Sequence, residues 1–82
     1  MARESQRYWL TFSAERARRP VIWKMSRKFD LIFNIRSASV TDKIGLIALE
    51  LTGEPKVIAA AVKWLRKEKV AVDPIELDVI EG

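Results

Sequence analysis

Eighty-two residues with 49% apolar and 32% charged side chains have the composition of one ordinary small globular domain. There is no cysteine and no histidine, which excludes disulfides and thiolate metal sites and removes both the usual general base near neutral pH and the commonest metal ligand. The net charge of +4 is uneven: residues 1–28 hold eight Lys/Arg against two acids, and residues 29–82 hold seven against nine.

No apolar run approaches the ~20 residues needed to span a bilayer. The N-terminal MARESQR has no apolar signal-peptide core, so a cytoplasmic protein with no membrane insertion is expected. A chain this short is held by a core worth roughly 3–5 kcal/mol.

Residues 1–5 read as a frayed tail. Residues 7–12 alternate as a strand, with Tyr8, Leu10 and Phe12 on one face and Arg7, Trp9 and Thr11 on the other. A polar stretch with the basic cluster 16–19 leads to Pro20, which suits the first position of a helix over 20–28. Val21, Ile22, Met25 and Phe29 follow at helical spacing, and Trp23 reads as core margin. Residues 30–40 form a second strand, and 41–43 a hairpin turn. The third strand covers 44–51. Pro55 opens a second helix whose apolar stripe is Val57, Ile58, Ala61, Val62 and Leu65, with Trp64 at its margin. That helix has no glycine at its end, so Lys69 is expected in a left-handed closing conformation. A last strand runs over 70–77, and Pro74 marks it as an edge.

The order βαββαβ is that of the split β-α-β motif. It predicts an α+β, ferredoxin-like domain over 1–82, a four-stranded antiparallel sheet with two helices on one face, because crossovers are right-handed. The odd-numbered residues of strands two and three, with Tyr8, Leu10 and Phe12, then face the helices.

The other sheet face is left open, and alternation places Trp9, Ile32, Asn34, Arg36, Leu46 and Glu50 there. Trp9, Ile32 and Leu46 are apolar enough to form an interface patch, against the alternative of scattered exposed residues. Asn34 occupies a strand position that disfavours asparagine; it either meets a ligand or partner backbone or makes a cross-strand bond or caps a bulge. Arg36 offers a planar fork for a carboxylate, although an exposed pair with Glu50 is the favoured reading. Gly45 interrupts a strand, which implies a bulge or room for a close approach. There is no catalytic constellation, no Gly-rich phosphate loop and no calcium-loop spacing among Asp73, Glu76, Asp78 and Glu81. No metal or cofactor is expected, and the chain reads as a non-enzyme.

Pro20-Val21-Ile22, Phe29-Asp30, Asn34-Ile35, Gly45 and Leu49-Glu50-Leu51, in this order, resemble the NIL domain. This family is the small C-terminal regulatory module of bacterial methionine-import ABC transporter ATPases, and the likeness spans residues 8–77. One departure is plain: the family's usual Asn-Ile-Leu is Asn34-Ile35-Arg36 here. The resemblance implies a sensing module that binds methionine or a related sulfur amino acid between two paired domains. Ile32, Asn34, Ile35, Arg36 and Gly45 are its candidate ligand residues; Trp9, Ile32 and Leu46 are its candidate homodimer interface.

The Asn-Ile-Arg form looks closer to NIL domains fused to iron–sulfur segments near homocysteine-forming proteins, but the cysteines for a cluster are missing. The alternative is a non-enzymatic interaction subunit that assists a partner protein of sulfur amino-acid metabolism. RNA-recognition modules share the element order. Their strand-three aromatics are absent from KIGLIALEL, so no nucleic-acid partner is expected.

Overall fold

The computed structural model describes residues 3–13, 15 and 20–75. The basic cluster 16–19, the acids Glu76, Asp78 and Glu81, and the end of the expected last strand lie outside them. The elements are β1 (Glu4–Ser13), α1 (Val21–Lys28), β2 (Ile32–Val40), β3 (Ile44–Gly53), α2 (Pro55–Lys67) and β4 (Ala71–Pro74). The four strands form one antiparallel sheet in the order β2-β3-β1-β4. This is the expected ferredoxin-like α+β fold. Glu4 and Ser5, expected in a tail, instead pair with Gly53 and Thr52 and lengthen the central β1–β3 ladder.

Both helices owe their position to one apolar cluster. Leu10 and Phe12 of β1, and Leu49 and Leu51 of β3, meet Val21 and Met25 of α1 and Ile58, Ala61, Val62 and Leu65 of α2. Leu10, Met25, Leu49, Leu51 and Leu65 are wholly buried. Eight residues are too few for a helix to stand alone in water, so α1 depends on this burial. Its N-terminal cap is Pro20, one residue before the helical turns begin, and the Pro20 carbonyl accepts from the Lys24 N–H. Pro55 fills the first turn of α2, where a missing N–H costs nothing. Phe29 packs edge-on against Trp64, with ring centroids 6.1 Å apart, and ties the end of α1 to α2. Trp23 departs from expectation: it is 59% exposed and stacks under the Arg27 guanidinium instead of joining the core margin.

The exit from α2 is a Schellman motif. The Val70 N–H donates to the Leu65 carbonyl at 3.1 Å, and the Lys69 N–H to the Arg66 carbonyl at 3.1 Å. The geometry requires a left-handed residue, and Lys69 takes it at φ 70°. Buried Val70 and Leu65 supply the apolar contact that accompanies such a cap.

The β2–β3 hairpin is closed by Thr41, whose hydroxyl accepts from the Lys43 and Ile44 N–H groups at 3.2 and 3.1 Å. At the other end of β3, a Cβ on Gly53 would lie 2.5 Å from Leu31 Cδ2, so a larger residue there would have to turn the Leu31 side chain aside.

One irregularity sets the faces of β2. The register with β3 shifts between Ile35 and Ser37, so Arg36 is the extra residue of a bulge. Phe33 and Ile35 pair with Leu51 and Leu49 and share their helix-facing side as expected. Beyond the bulge the parity reverses: Ala38 and Val40, not the odd-numbered residues, align with Ile47 and Gly45. The glycine expected to mark a bulge does not do so. Gly45 pairs in unbroken register with Phe12 and Val40.

Candidate functional site

With both helices on one side, the domain is one sheet and one helix layer thick, and its least extent is 17 Å. The opposite sheet face is uncovered. Its residues follow from the registers. Ser39, Leu46, Thr11 and Ala71 make one row across the four strands; Ser37, Ala48, Trp9 and Asp73 make the next. Asn34, Glu50 and Arg7 make a third row, and Ile32, Thr52 and Ser5 a fourth.

The third row is the chemical centre of this face. The Arg7 Nε donates to Glu50 Oε2 at 3.2 Å. The Asn34 amide nitrogen donates to Glu50 Oε1 at 3.4 Å, and Arg36 Nη1 stands 3.8 Å from the same oxygen. One carboxylate on β3, with its side chain 18% exposed, therefore gathers two guanidinium groups and an amide from the two flanking strands. The hydrogen bond from Arg7, helped by that from Asn34, holds the Glu50 carboxyl below its ordinary value of 4.5, so it is ionised at neutral pH. Arg36 lies beyond hydrogen-bond reach of Glu50 and is the more exposed of the two arginines, so its donors remain open to a further anion. The Asn34 carbonyl oxygen likewise has no partner among the described residues.

The structure brings together three of the five candidate ligand residues. Ile32, Asn34 and Arg36 lie on the open face of β2 as alternation predicts, with Arg36 at the bulge beyond which the parity reverses. Ile35 belongs to the helix side, aligned with Leu49, and on the edge strand β2 it is 52% exposed. Gly45 is buried on that same side against the Phe12 and Val40 positions, so it leaves no space beside Asn34.

The candidate interface is split as well. Trp9 and Leu46, 38% and 36% exposed, are diagonal neighbours, and Ile44 extends them. Ile32, 58% exposed, lies across the Glu50 row from them. The open face thus has an ionic row between Ile32 on one side and Trp9, Leu46 and Ile44 on the other, instead of one apolar patch. Arg7 was legible as an outward residue of β1. Its role was not, because only the β1–β3 register brings it to Glu50, 43 residues away.

Among the described residues, no group of three or more His, Cys, Asp or Glu is arranged to hold a metal ion, and no helix is long and apolar enough to cross a membrane.

Comparison with known proteins converges on one family. The sequence pattern of the NIL domain matches residues 6–74. The methionine import ATP-binding protein MetN 2 of Acinetobacter baylyi is 33% identical over 70 residues, which cover 80% of this chain. The chain spans 20% of that relative's length. The crystal structure of the C-terminal domain of an ABC transporter/ATP-binding protein from Enterococcus faecalis is similar at a TM-score of 0.75 and 25% identity, over 89% of this chain and 86% of that one.

Proposed function

This chain belongs to the NIL domain family, and from that membership we propose that it is a non-catalytic regulatory module that senses methionine or a related sulfur amino acid on its open sheet face. The observation that carries the reading is the Arg7–Glu50–Asn34–Arg36 cluster on the uncovered sheet face, between Ile32 on one side and Trp9, Leu46 and Ile44 on the other. An amino-acid zwitterion needs a cation for its carboxylate and an anion for its ammonium group, a few ångströms apart. Arg36 supplies the first and ionised Glu50 the second, while the open carbonyl of Asn34 takes another ammonium N–H. Ile32, one row away, accepts the apolar thioether tail. Arg7 contacts no ligand in this arrangement and keeps Glu50 charged and in place.

A flat sheet cannot enclose a ligand, and sites of this kind bury most of the ligand surface. A second copy of the domain supplies the other wall. Trp9, Leu46 and Ile44 are the apolar residues such a homodimer would cover, and symmetric pairing is the common solution for an exposed face.

The test is thermal melting of the chain with millimolar L-methionine or homocysteine. At a hundredfold excess over Kd, binding adds about 2.7 kcal/mol, which for a domain of this size raises the melting temperature by roughly 10–20 °C. Asn34→Ala reduces the shift and Trp9→Glu abolishes dimer sedimentation. If neither amino acid moves the transition, the second reading takes over. In it the exposed apolar residues and the unpaired β2 edge serve a partner protein of sulfur amino-acid metabolism, with no ligand.

A further inference from the structure

The opposite side of the molecule has its own chemistry. Helices α1 and α2 hold seven Lys or Arg and no Asp or Glu. Acids are missing even from the first turns, where the helix dipole would favour them. Among the described residues the ion pairs go to Glu50 on the far face, and Lys28, Lys63 and Lys67 have none. Lys63 and Lys67 are one turn apart on the same helix face, a like-charge spacing that disfavours the helix. Lys28 and Lys67 stand in the last turns of their helices, where the dipole favours cations, and Lys63 adds a third charge to the same side.

These three lysines frame a groove of about 250 Å³ between the end of α1 and the middle of α2. Its floor is apolar, formed by Phe29, Trp64 and Ala60. The two rings are fixed edge to face, and the Lys28 ammonium sits 5.9 Å above the Phe29 ring.

We propose that this groove docks an acidic peptide segment of a partner protein, which lays one apolar side chain on the Phe29–Trp64 floor while its carboxylates meet Lys28, Lys63 and Lys67. The groove is smaller than the roughly 300–1,000 Å³ of small-molecule sites and suits a single anchoring side chain. Its ammonium groups are mobile point charges on flexible stems, matched to an irregular row of carboxylates. A single-stranded nucleic acid needs ring faces in series along a basic track; here the groove has two rings, inclined at 67° to each other, so they do not form a stacked series. The inference does not depend on ligand binding at the open face, which is made of other residues.

The experiment is a titration of the full chain, followed by ¹⁵N–¹H spectra, with a short Glu/Asp-rich peptide carrying one Phe. The Trp64 indole N–H and the Ala60 and Lys63 amides are expected to shift, while signals of Arg7, Trp9 and Glu50 stay in place. Replacing the peptide's Phe by Ser weakens binding about tenfold. The double variant Lys63→Glu/Lys67→Glu does at least the same, whereas Lys43→Glu on the hairpin does not. A melting curve checks that the double variant is folded; if it is not, the Phe and Ser peptides decide on the unaltered chain. Three results overturn the proposal: no shift at millimolar peptide, equal binding of the Ser peptide, or an oligonucleotide that moves the same signals as strongly.

Discussion

Replacing Lys69 by glycine is expected to stabilise the domain. The Schellman cap at the end of α2 fixes Lys69 at φ 70°, where an L side chain crowds its own backbone. That conformation costs a residue with a Cβ about 1–2 kcal/mol, and glycine avoids it. Glycine also gives the unfolded chain more freedom, which offsets roughly 0.5–1 kcal/mol of the gain. The net is about 0.5–1 kcal/mol, or roughly 2–8 °C in melting temperature at the size of this domain. Thermal unfolding followed by circular dichroism measures it. Lys69 also adds to a crowded basic surface, so Lys69→Ala is the control: it removes the charge but keeps the demand for a left-handed residue. The reasoning holds if Gly stabilises and Ala leaves the transition within about 0.5 kcal/mol of the parent. It fails if Ala stabilises as much as Gly, because charge relief would then be the cause, or if Gly lowers the transition.

Glu50 supplies a pH test. Its folded pKa is depressed, chiefly by the hydrogen bond from Arg7, so its contribution is fully present above the ordinary carboxylate value and is lost as pH falls through the folded one. Glu50→Gln should lower the melting temperature at pH 7, and the deficit should vanish when both proteins are melted well below pH 4.5. Leu49, wholly buried at the centre of β3, is expected to cost about 2–5 kcal/mol on truncation to alanine. That is comparable with the roughly 3–5 kcal/mol available to a core of this size, so Leu49→Ala should populate unfolded chain at 25 °C in a urea titration; an unchanged midpoint would refute the packing argument. The basic surface should bind oligonucleotides only weakly and without sequence preference, with affinity falling steeply as salt rises. Submicromolar binding at physiological salt would contradict this.

The sequence disclosed what depends on neighbours along the chain. Pro20 and Pro55 announced two helices, the alternation from Tyr8 to Phe12 gave the faces of β1, and Pro74 marked β4 as an edge. The missing glycine after α2 was enough to place the left-handed turn at Lys69. What stayed hidden depends on register between distant strands. Nothing in residues 32–40 shows where pairing skips a residue, because from Arg36 to Ser39 no large apolar side chain marks either face. A bulge is therefore one of two readings of Gly45, the residue with the least side chain, whereas the bulge belongs to Arg36. The same limit hid the Arg7–Glu50 contact and the separation of Ile32 from Trp9 and Leu46.

The bulge at Arg36 also bears on how this position varies. A residue in regular pairing has a partner opposite and two neighbours diagonal to it, so a change of size or charge there must be answered on the next strand. Position 36 is opposite no residue of β3. Where the resembling family has leucine, this chain has arginine, whose guanidinium stands 3.8 Å from Glu50 Oε1. Substitution at this point alters what the open face presents to its surroundings while leaving the scaffold as it was. The residue at which this chain departs from the family it resembles is thus the residue the sheet leaves without a partner opposite, two positions from Asn34.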